Sequence, residues 1–287
     1  MNTKFIDFEG IHGCGKSTTA WILNDNLIDS GINSQVFLEA DLDNPYENPC
    51  DFRFMSVLNE EELNQLKNEF PTQIQRITTF SQKIDDYYML YYSNFNDYLD
   101  LKNRLMDYQV YEGRFNYNDF KMLMKKRITD FVEEAVQNDE VYIFESVLFQ
   151  HVINELLRFT NSNPEMISEF ITEIVDILRP LNPIIFHLYT DDLKGIIDKI
   201  ASERLSDNYD LYPDWIDFMI EYVKNSDYGL HNNVCDRNGL LEYFYKRANI
   251  EKQAFDTLDI QKYIVDIQKV SRDSLNAMAY DIVMKNQ

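Results

Sequence analysis

The sequence predicts a three-layer α/β fold built on a five-stranded parallel sheet. Five short apolar runs alternate with longer stretches whose apolar residues recur at helical spacing. This alternation is typical of strand–helix–strand units, which place parallel strands between two layers of helices. A glycine-rich turn follows the first apolar run at Gly10, and a helical stretch follows the turn. These observations favour one α/β domain over residues 1–287.

The glycine-rich turn carries a phosphate-binding pattern. Gly10, Gly15, Lys16 and Ser17 satisfy G-x-x-x-x-G-K-[ST], the phosphate loop, or P-loop. Glycines let successive backbone N–H groups point at phosphates, and the following helix aims its positive end at the same anion. Lys16 supplies a cation, and Ser17 supplies a hydroxyl for Mg²⁺. The sequence therefore predicts a P-loop fold whose ATP site comprises Gly10, His12, Gly13, Cys14, Gly15, Lys16, Ser17 and Thr18.

Apolar spacing predicts the other elements in order. Strands are expected at 4–8, 34–39, 141–144, 183–189 and 262–266. Helices are expected at 16–30, 118–137, 164–178, 192–205, 240–258 and 271–284.

A long insertion, about residues 51–138, separates the second and third predicted strands. Its apolar and aromatic spacing predicts helices over 60–70 and 72–102. Tyr91 belongs to an aromatic stripe that either packs helices together or forms a stacking wall for a substrate. Arg114 follows a glycine turn and is either a surface residue or an anion-binding residue of the substrate side.

Acidic residues follow two of the predicted strands. Glu145 ends the third strand, where a carboxylate can join the Mg²⁺ shell or accept a proton from an attacking hydroxyl. Asp41 follows the second strand and is either substrate-facing or part of a solvated turn. We therefore predict catalytic roles for Lys16, Glu145 and Asp41, and metal ligation by Ser17 and Glu145.

A lid-like segment, about residues 204–239, follows the fourth strand and its helix. It is polar and contains glycine, as expected of a segment that closes over phosphates. Arg204 begins it and is the predicted charge-stabilising residue, with Arg237 and Arg247 as further candidates. Ion pairing with nearby acids is the alternative for all three.

Composition limits the partners. The 287 residues carry a formal net charge of −22, which repels nucleic-acid backbones and anionic membranes. No apolar run reaches membrane-spanning length, and the first residues lack a signal-like segment. We expect a cytoplasmic protein with a small-molecule partner, no nucleic acid and no membrane; a homodimer is left open.

Residues 8–18 read F-E-G-I-H-G-C-G-K-S-T and resemble the thymidylate-kinase branch of the P-loop kinases, which typically show F-E-G-I-D-G-x-G-K-S-T. The resemblance implies a five-stranded parallel sheet and phosphoryl transfer from ATP with Mg²⁺ to a small acceptor. Three features depart from it: His12 replaces the aspartate, the aspartate-arginine pair after the third strand is missing, and Glu145-Ser146 stands at that strand's tip. Glu145-Ser146 is closer to the glutamate-arginine-serine pattern of deoxynucleoside kinases, without its arginine.

The leading functional prediction is a kinase that moves the γ-phosphoryl group of ATP to a small molecule. The acceptor is a nucleoside, a nucleotide or another hydroxyl compound, expected near Arg114 and Tyr91. Two alternatives stay open at this point. One is a nucleotide-controlled binding protein with slow hydrolysis, and the other is a P-loop enzyme that uses ATP without a kinase outcome.

Overall fold

Eight strands form two sheets in the protein, which a computed structural model describes over residues 2–39 and 47–287. In chain order they are β1 (Phe5–Gly10), β2 (Ser34–Phe37), β3 (Met55–Leu58), β4 (Gln82–Ile84), β5 (Tyr87–Tyr91), β6 (Val141–Glu145), β7 (Ile184–Tyr189) and β8 (Gln261–Asp266).

The α-helices of the described residues are numbered in the same way. They are α1 (Lys16–Asp29), α2 (Glu60–Glu69), α3 (Ile74–Phe80), α4 (Leu99–Met106), α5 (Tyr117–Ala135), α6 (Gln150–Phe159), α7 (Pro164–Leu178), α8 (Leu193–Glu203), α9 (Trp215–Lys224), α10 (Asp227–His231), α11 (Arg237–Thr257) and α12 (Arg272–Met284).

The central sheet has the order β2-β6-β1-β7-β8, and every pairing in it is parallel. Its strands are short, mostly buried apolar runs, because helices cover both faces. Helices α1 and α12 pack together, with Leu23, Leu27 and Val283 against the strand residues Ile6 and Phe8. Helices α6 and α7 lie between β6 and β7 in the chain, and α8 and α11 lie between β7 and β8. Helix α11 contacts α6, α7 and α8. The predicted three-layer P-loop fold is confirmed.

The chain divides into two compact units, Met1–Asn44 with Val132–Gln287, and Pro45–Phe131. The first unit holds the central sheet. The second contains an antiparallel sheet of order β3-β5-β4, whose core includes Leu58, Leu66, Ile77, Leu90 and Phe95. The single-domain boundaries at 1–287, with an insertion at about 51–138, stay a prediction.

The prediction of a helix over 72–102 is wrong for most of that range, where only α3 and the start of α4 are α-helical. Residues Tyr87–Tyr91 form the middle strand of the second sheet, and Tyr92–Phe95 form a short 3₁₀ turn. Asp85 adopts φ 49° in the two-residue turn between β4 and β5. A short turn with a residue at positive φ suits a hairpin, and aromatic residues suit strands, so local chemistry overrides the helical spacing. The aromatic stripe of Tyr91 therefore does not lie on one helix face.

Other element positions follow the predictions closely. Asn163 caps α7 and Ser271 caps α12 through their side chains, as their sequence positions suggest. Helix α6 and the two short helices α9 and α10 are additional to the prediction. Within the described residues, no helix is both long and apolar enough to cross a membrane.

Candidate nucleotide site

The phosphate loop follows β1 and turns on three glycines. Gly10, Gly13 and Gly15 have φ values of 134°, 76° and 100°, in the region that favours glycine. A Cβ atom on Gly10 would lie 2.1 Å from the carbonyl oxygen of Leu188, and one on Gly13 would lie 2.5 Å from Cδ1 of Ile200. The backbone angles therefore favour glycine at both positions, and at Gly10 the backbone of Leu188 also leaves no room for a side chain.

Helix α1 begins at Lys16 without a capping side chain. Gly15 occupies the N-cap position, and the first turn contains no acidic residue. Such a turn presents N–H groups and the positive end of the helix dipole without a side-chain acceptor. Gly13, Ser17 and Thr18 are solvent-exposed, so an anion can reach this end of the helix. The arrangement suits a polyphosphate.

Lys16 lies beneath the loop, with only 4% of its surface exposed. Its Nζ donates to the carbonyl oxygens of Gly10 at 2.9 Å and Ile11 at 3.2 Å. Burial opposes its charge, but the sulfur of Cys14 and the carboxylates of Glu39 and Glu145 together outweigh burial and raise the pKa of Lys16. The ammonium group is therefore charged and held at the loop.

Ser17 and Glu145 meet at the carboxyl ends of the central strands. The Ser17 hydroxyl donates to Oε1 of Glu145 at 2.7 Å, and the backbone N–H of Glu39 donates to Oε2 at 3.0 Å. A hydroxyl and a carboxylate oxygen are the hard ligands that Mg²⁺ prefers, so these two residues fit the predicted metal. Among the described residues, no three His, Cys, Asp or Glu side chains form a metal-binding group, so phosphates and water would complete the shell.

The segment after β6 is fixed by two carboxylates of β1. Glu9 accepts hydrogen bonds from the backbone N–H groups of Leu148 at 2.7 Å and Phe149 at 2.6 Å, and Asp7 accepts from Leu148 at 3.2 Å. Ser146, directly after the strand tip, has φ 67°, an uncommon conformation for a residue with a side chain. These contacts hold the start of α6 against β1.

Burial of the two β1 carboxylates changes their titration. Asp7 and Glu9 are both fully inaccessible to solvent. Burial raises the pKa of Asp7 to about 6, and burial together with the charge of Asp7 raises the pKa of Glu9 well above its usual range. The pair therefore holds a proton that two exposed carboxyls would lose.

His12 contacts the lid-like segment. Its ring centroid lies 5.7 Å from that of Trp215, at the start of α9, and 5.9 Å from that of Phe244 on α11. Removal of the ring from water lowers the pKa of His12 to about 3, against the opposing charge of Glu39. Its Nδ1 is buried and has no hydrogen-bond partner among the described residues. His12 is therefore a neutral imidazole beside two aromatic rings.

The predicted arginines lie in different surroundings. Arg204 is exposed, and its guanidinium carbon lies 6.0 Å from the ring centre of Trp215. Its charge contributes to the low pKa of His12, which places it near the loop. Arg237 forms an exposed ion pair with Asp198.

Two more arginines lie near the site: Arg247, which the sequence suggested as a candidate, and Arg272, which it did not. Arg247 is fully buried and donates through Nε to Glu251 at 2.6 Å. Arg272, at the start of α12, reaches within 3.8 Å of where a Cβ atom on Gly15 would lie. The four-residue spacing of Arg247 and Glu251 in an apolar helical stretch was the available signal for the first; nothing local marks Arg272.

The two predicted substrate contacts lie in the second unit. Arg114 Nη2 donates to both carboxylate oxygens of Glu62, at 2.8 and 2.7 Å, and its Nε donates to the Val57 carbonyl at 3.2 Å. The Tyr91 hydroxyl accepts from Nη2 of Arg127 at 2.6 Å, and Tyr91 is 6% exposed. Their substrate-binding roles stay predictions.

Asp41 lies outside the described residues. Its neighbour Glu39 does reach the site, through its backbone N–H and through a side-chain contact with Gln150. The sequence analysis missed Gln150, because this residue begins α6 and the sequence did not predict a helix there. The signal that places Glu39 here is its position after a parallel strand.

The chain was compared with known proteins. No protein-family model and no curated protein sequence matches it. Its structure is similar to thymidylate kinase from Candida albicans, with a TM-score of 0.42 and 14% identity over 99% of this chain and 92% of that one. It is also similar to thymidylate kinase from Ehrlichia chaffeensis, with a TM-score of 0.40 and 12% identity over 99% of this chain and 100% of that one.

Proposed function

We propose that the protein is an ATP- and Mg²⁺-dependent phosphotransferase that moves the γ-phosphoryl group to a small-molecule acceptor. The observation that carries the proposal is the 2.7 Å contact between Ser17 and Glu145 beside an open, uncapped phosphate loop. A hydroxyl and a carboxylate at the mouth of a phosphate loop are the protein ligands that a nucleotide-bound metal requires.

Each residue of the loop has a defined task in this proposal. The loop N–H groups and Lys16 bind the phosphates, and Lys16 adds positive charge where negative charge develops. Ser17 and Glu145 would hold Mg²⁺, which would supply positive charge to neutralise the phosphates. Glu145 also orients the acceptor hydroxyl or takes its proton, a task that Asp41 shares as the alternative candidate.

Arg204 completes the proposed site from the lid-like segment. Its side chain is exposed and lies beside Trp215, whose ring in turn lies beside His12 of the loop. The guanidinium group can therefore approach the transferring group. Closure of such a segment excludes water and favours transfer over hydrolysis. The acceptor is proposed to be a nucleoside, a nucleotide or another hydroxyl compound, bound on the substrate side with Arg114 and Tyr91.

The test is ATP turnover with and without a panel of nucleosides, nucleotides and other hydroxylated small molecules. We expect one acceptor class to stimulate turnover strongly, and Lys16→Ala to abolish the stimulated rate. Lys199→Ala, which removes a 71% exposed lysine from α8, is the matched control and should leave the rate unchanged. Tight ATP binding without stimulation by any class would instead support a nucleotide-controlled switch.

A further inference from the structure

A chain of hydrogen bonds leads away from the proposed metal ligands. Ser17 donates to one oxygen of Glu145, and the backbone of Glu39 donates to the other. The side chain of Glu39 in turn accepts a hydrogen bond from Nε2 of Gln150 at the start of α6. Glu145 is thus connected to a second layer of polar side chains.

The chain continues into α11. Nη2 of Arg247 donates to Oε1 of Gln150 at 3.2 Å, and Nε of Arg247 donates to Glu251 at 2.6 Å. The other oxygen of Glu251 lies 3.4 Å from Nε2 of His187 on β7. Gln150, Arg247, Glu251 and His187 are all buried, with at most 4% of their surface exposed. One polar path therefore joins the phosphate loop, α6, α11 and β7.

The arginine determines which way the Gln150 amide points. A guanidinium group only donates hydrogen bonds, so the amide oxygen of Gln150 must face Arg247. The amide nitrogen then faces Glu39 and donates to it. Replacement of the arginine would release this constraint, and the amide could turn its oxygen toward the carboxylate.

The charge pair that anchors the path stays ionised. Burial alone would raise the pKa of Glu251, but Arg247 and His187 together lower it to about 2. A buried ion pair of this kind contributes little net stability compared with apolar residues of the same size. Nη1 of Arg247 is also buried without a hydrogen-bond partner among the described residues, which adds a cost. Stability alone therefore does not account for the pair.

We propose that Arg247 and Gln150 are positioning residues that hold Glu39 and Glu145 in the arrangement required for the metal. The inference rests on the proposed ATP- and Mg²⁺-dependent function. Hydrogen-bonding partners behind a metal ligand commonly change metal affinity by about 10- to 100-fold when they are removed. Arg247 thereby supports Glu145 from a helix that the phosphate-loop pattern does not include.

The test measures ATP affinity by calorimetry, once with Mg²⁺ and once with a chelator. The Mg²⁺-dependent ratio is the dissociation constant with the chelator divided by the dissociation constant with Mg²⁺. Gln150→Glu keeps an acceptor for Arg247 but places a carboxylate against Glu39, so it breaks only one link. Arg247→Lys exchanges the forked guanidinium for a single ammonium group, which cannot bond Gln150 and Glu251 with the same geometry, so it weakens the second link. We expect each variant to lower the Mg²⁺-dependent ratio by about tenfold, with metal-free ATP affinity changed by less than about twofold.

Arg179→Lys is the control, because Arg179 is exposed and pairs with Asp176. Arg179 lies just before the amino end of β7, whereas the site lies at the carboxyl ends of the strands. This variant should leave the ratio unchanged. Cooperative thermal unfolding shows which variants are folded; if Arg247→Lys fails to fold, Gln150→Glu decides. An unchanged ratio in folded Gln150→Glu overturns this inference alone. Absence of ATP binding in the unsubstituted protein overturns the proposed function, and this inference with it.

Discussion

Ser17 and Glu145 are 128 residues apart in the chain and 2.7 Å apart in the structure. Ser17 lies in the first turn of α1, and Glu145 ends β6, which lies beside β1 in the sheet. Glu145 is held from both sides, since its second oxygen accepts from the backbone of Glu39. A carboxylate fixed in this way needs little rearrangement to bind a metal or orient a hydroxyl.

The first prediction concerns the charge of Glu145. Glu145→Gln retains an oxygen that can accept from Ser17 but removes the negative charge and the proton acceptor. We expect acceptor-dependent turnover to fall by about 100-fold or more, because general-base contributions have at least that size. Metal-free ATP affinity should change by less than about twofold, since the phosphates bind to the loop. Steady-state kinetics and calorimetry check both values.

Glu133→Gln is the control for this substitution. Glu133 is an exposed carboxylate near the end of α5 and has no place in the proposed site. Its variant should turn over like the unsubstituted protein. Equal turnover in Glu145→Gln would remove Glu145 from the mechanism.

The second prediction concerns Gly13, where backbone and packing act together. Gly13→Ala places a side chain at φ 76° and 2.5 Å from Cδ1 of Ile200. We expect the loop to shift and ATP affinity to fall at least about tenfold, because the backbone N–H groups lose their alignment. The backbone conformation alone costs about 1–2 kcal/mol of the free energy of unfolding. Calorimetry and urea unfolding measure the two effects.

Gly31→Ala separates strain from function. Gly31 has φ 81°, and a Cβ atom there would meet nothing within 4 Å. Its substitution should lower the free energy of unfolding by a similar backbone cost while leaving ATP affinity intact. If both variants bind ATP equally well, the close approach of Gly13 to Ile200 has no role in binding.

The centre of the main sheet could be predicted because β1, β6 and β7 are buried on both faces. Strands such as β6 and β7 appear as continuous apolar runs, and such runs need no distant information to be recognised. The phosphate loop is equally local, since Gly10, Lys16 and Ser17 lie within eight consecutive residues. Both predictions depend on neighbours in the chain.

The second sheet and the polar path behind Glu145 depend on distant neighbours instead. Tyr87–Tyr91 has helical aromatic spacing, yet it pairs with β3 and β4 on its two sides. Gln150 and Arg247 meet across 97 residues, and no local pattern connects them. Such contacts depend on which distant segments the fold brings together.

The third prediction concerns the buried carboxylates of β1. Burial raises the pKa of Asp7 from 3.8 to about 6, so the folded protein retains a proton that the unfolded chain releases. This contribution to stability is therefore present below pH 4 and is lost as the pH rises through 6. A shift of this size corresponds to about 3 kcal/mol in the free energy of unfolding.

Asp7→Asn removes that dependence, because an amide stays neutral and its oxygen can still accept from the backbone of Leu148. Relative to the unsubstituted protein, we expect the variant to gain stability as the pH rises from 4 to 8, by up to about 3 kcal/mol. Urea unfolding across that range measures the difference. Asp25→Asn, at an exposed position of α1, should give a flat difference. A flat difference for Asp7→Asn as well would mean that Asp7 has the same pKa in the folded and unfolded protein, so that burial does not control its charge.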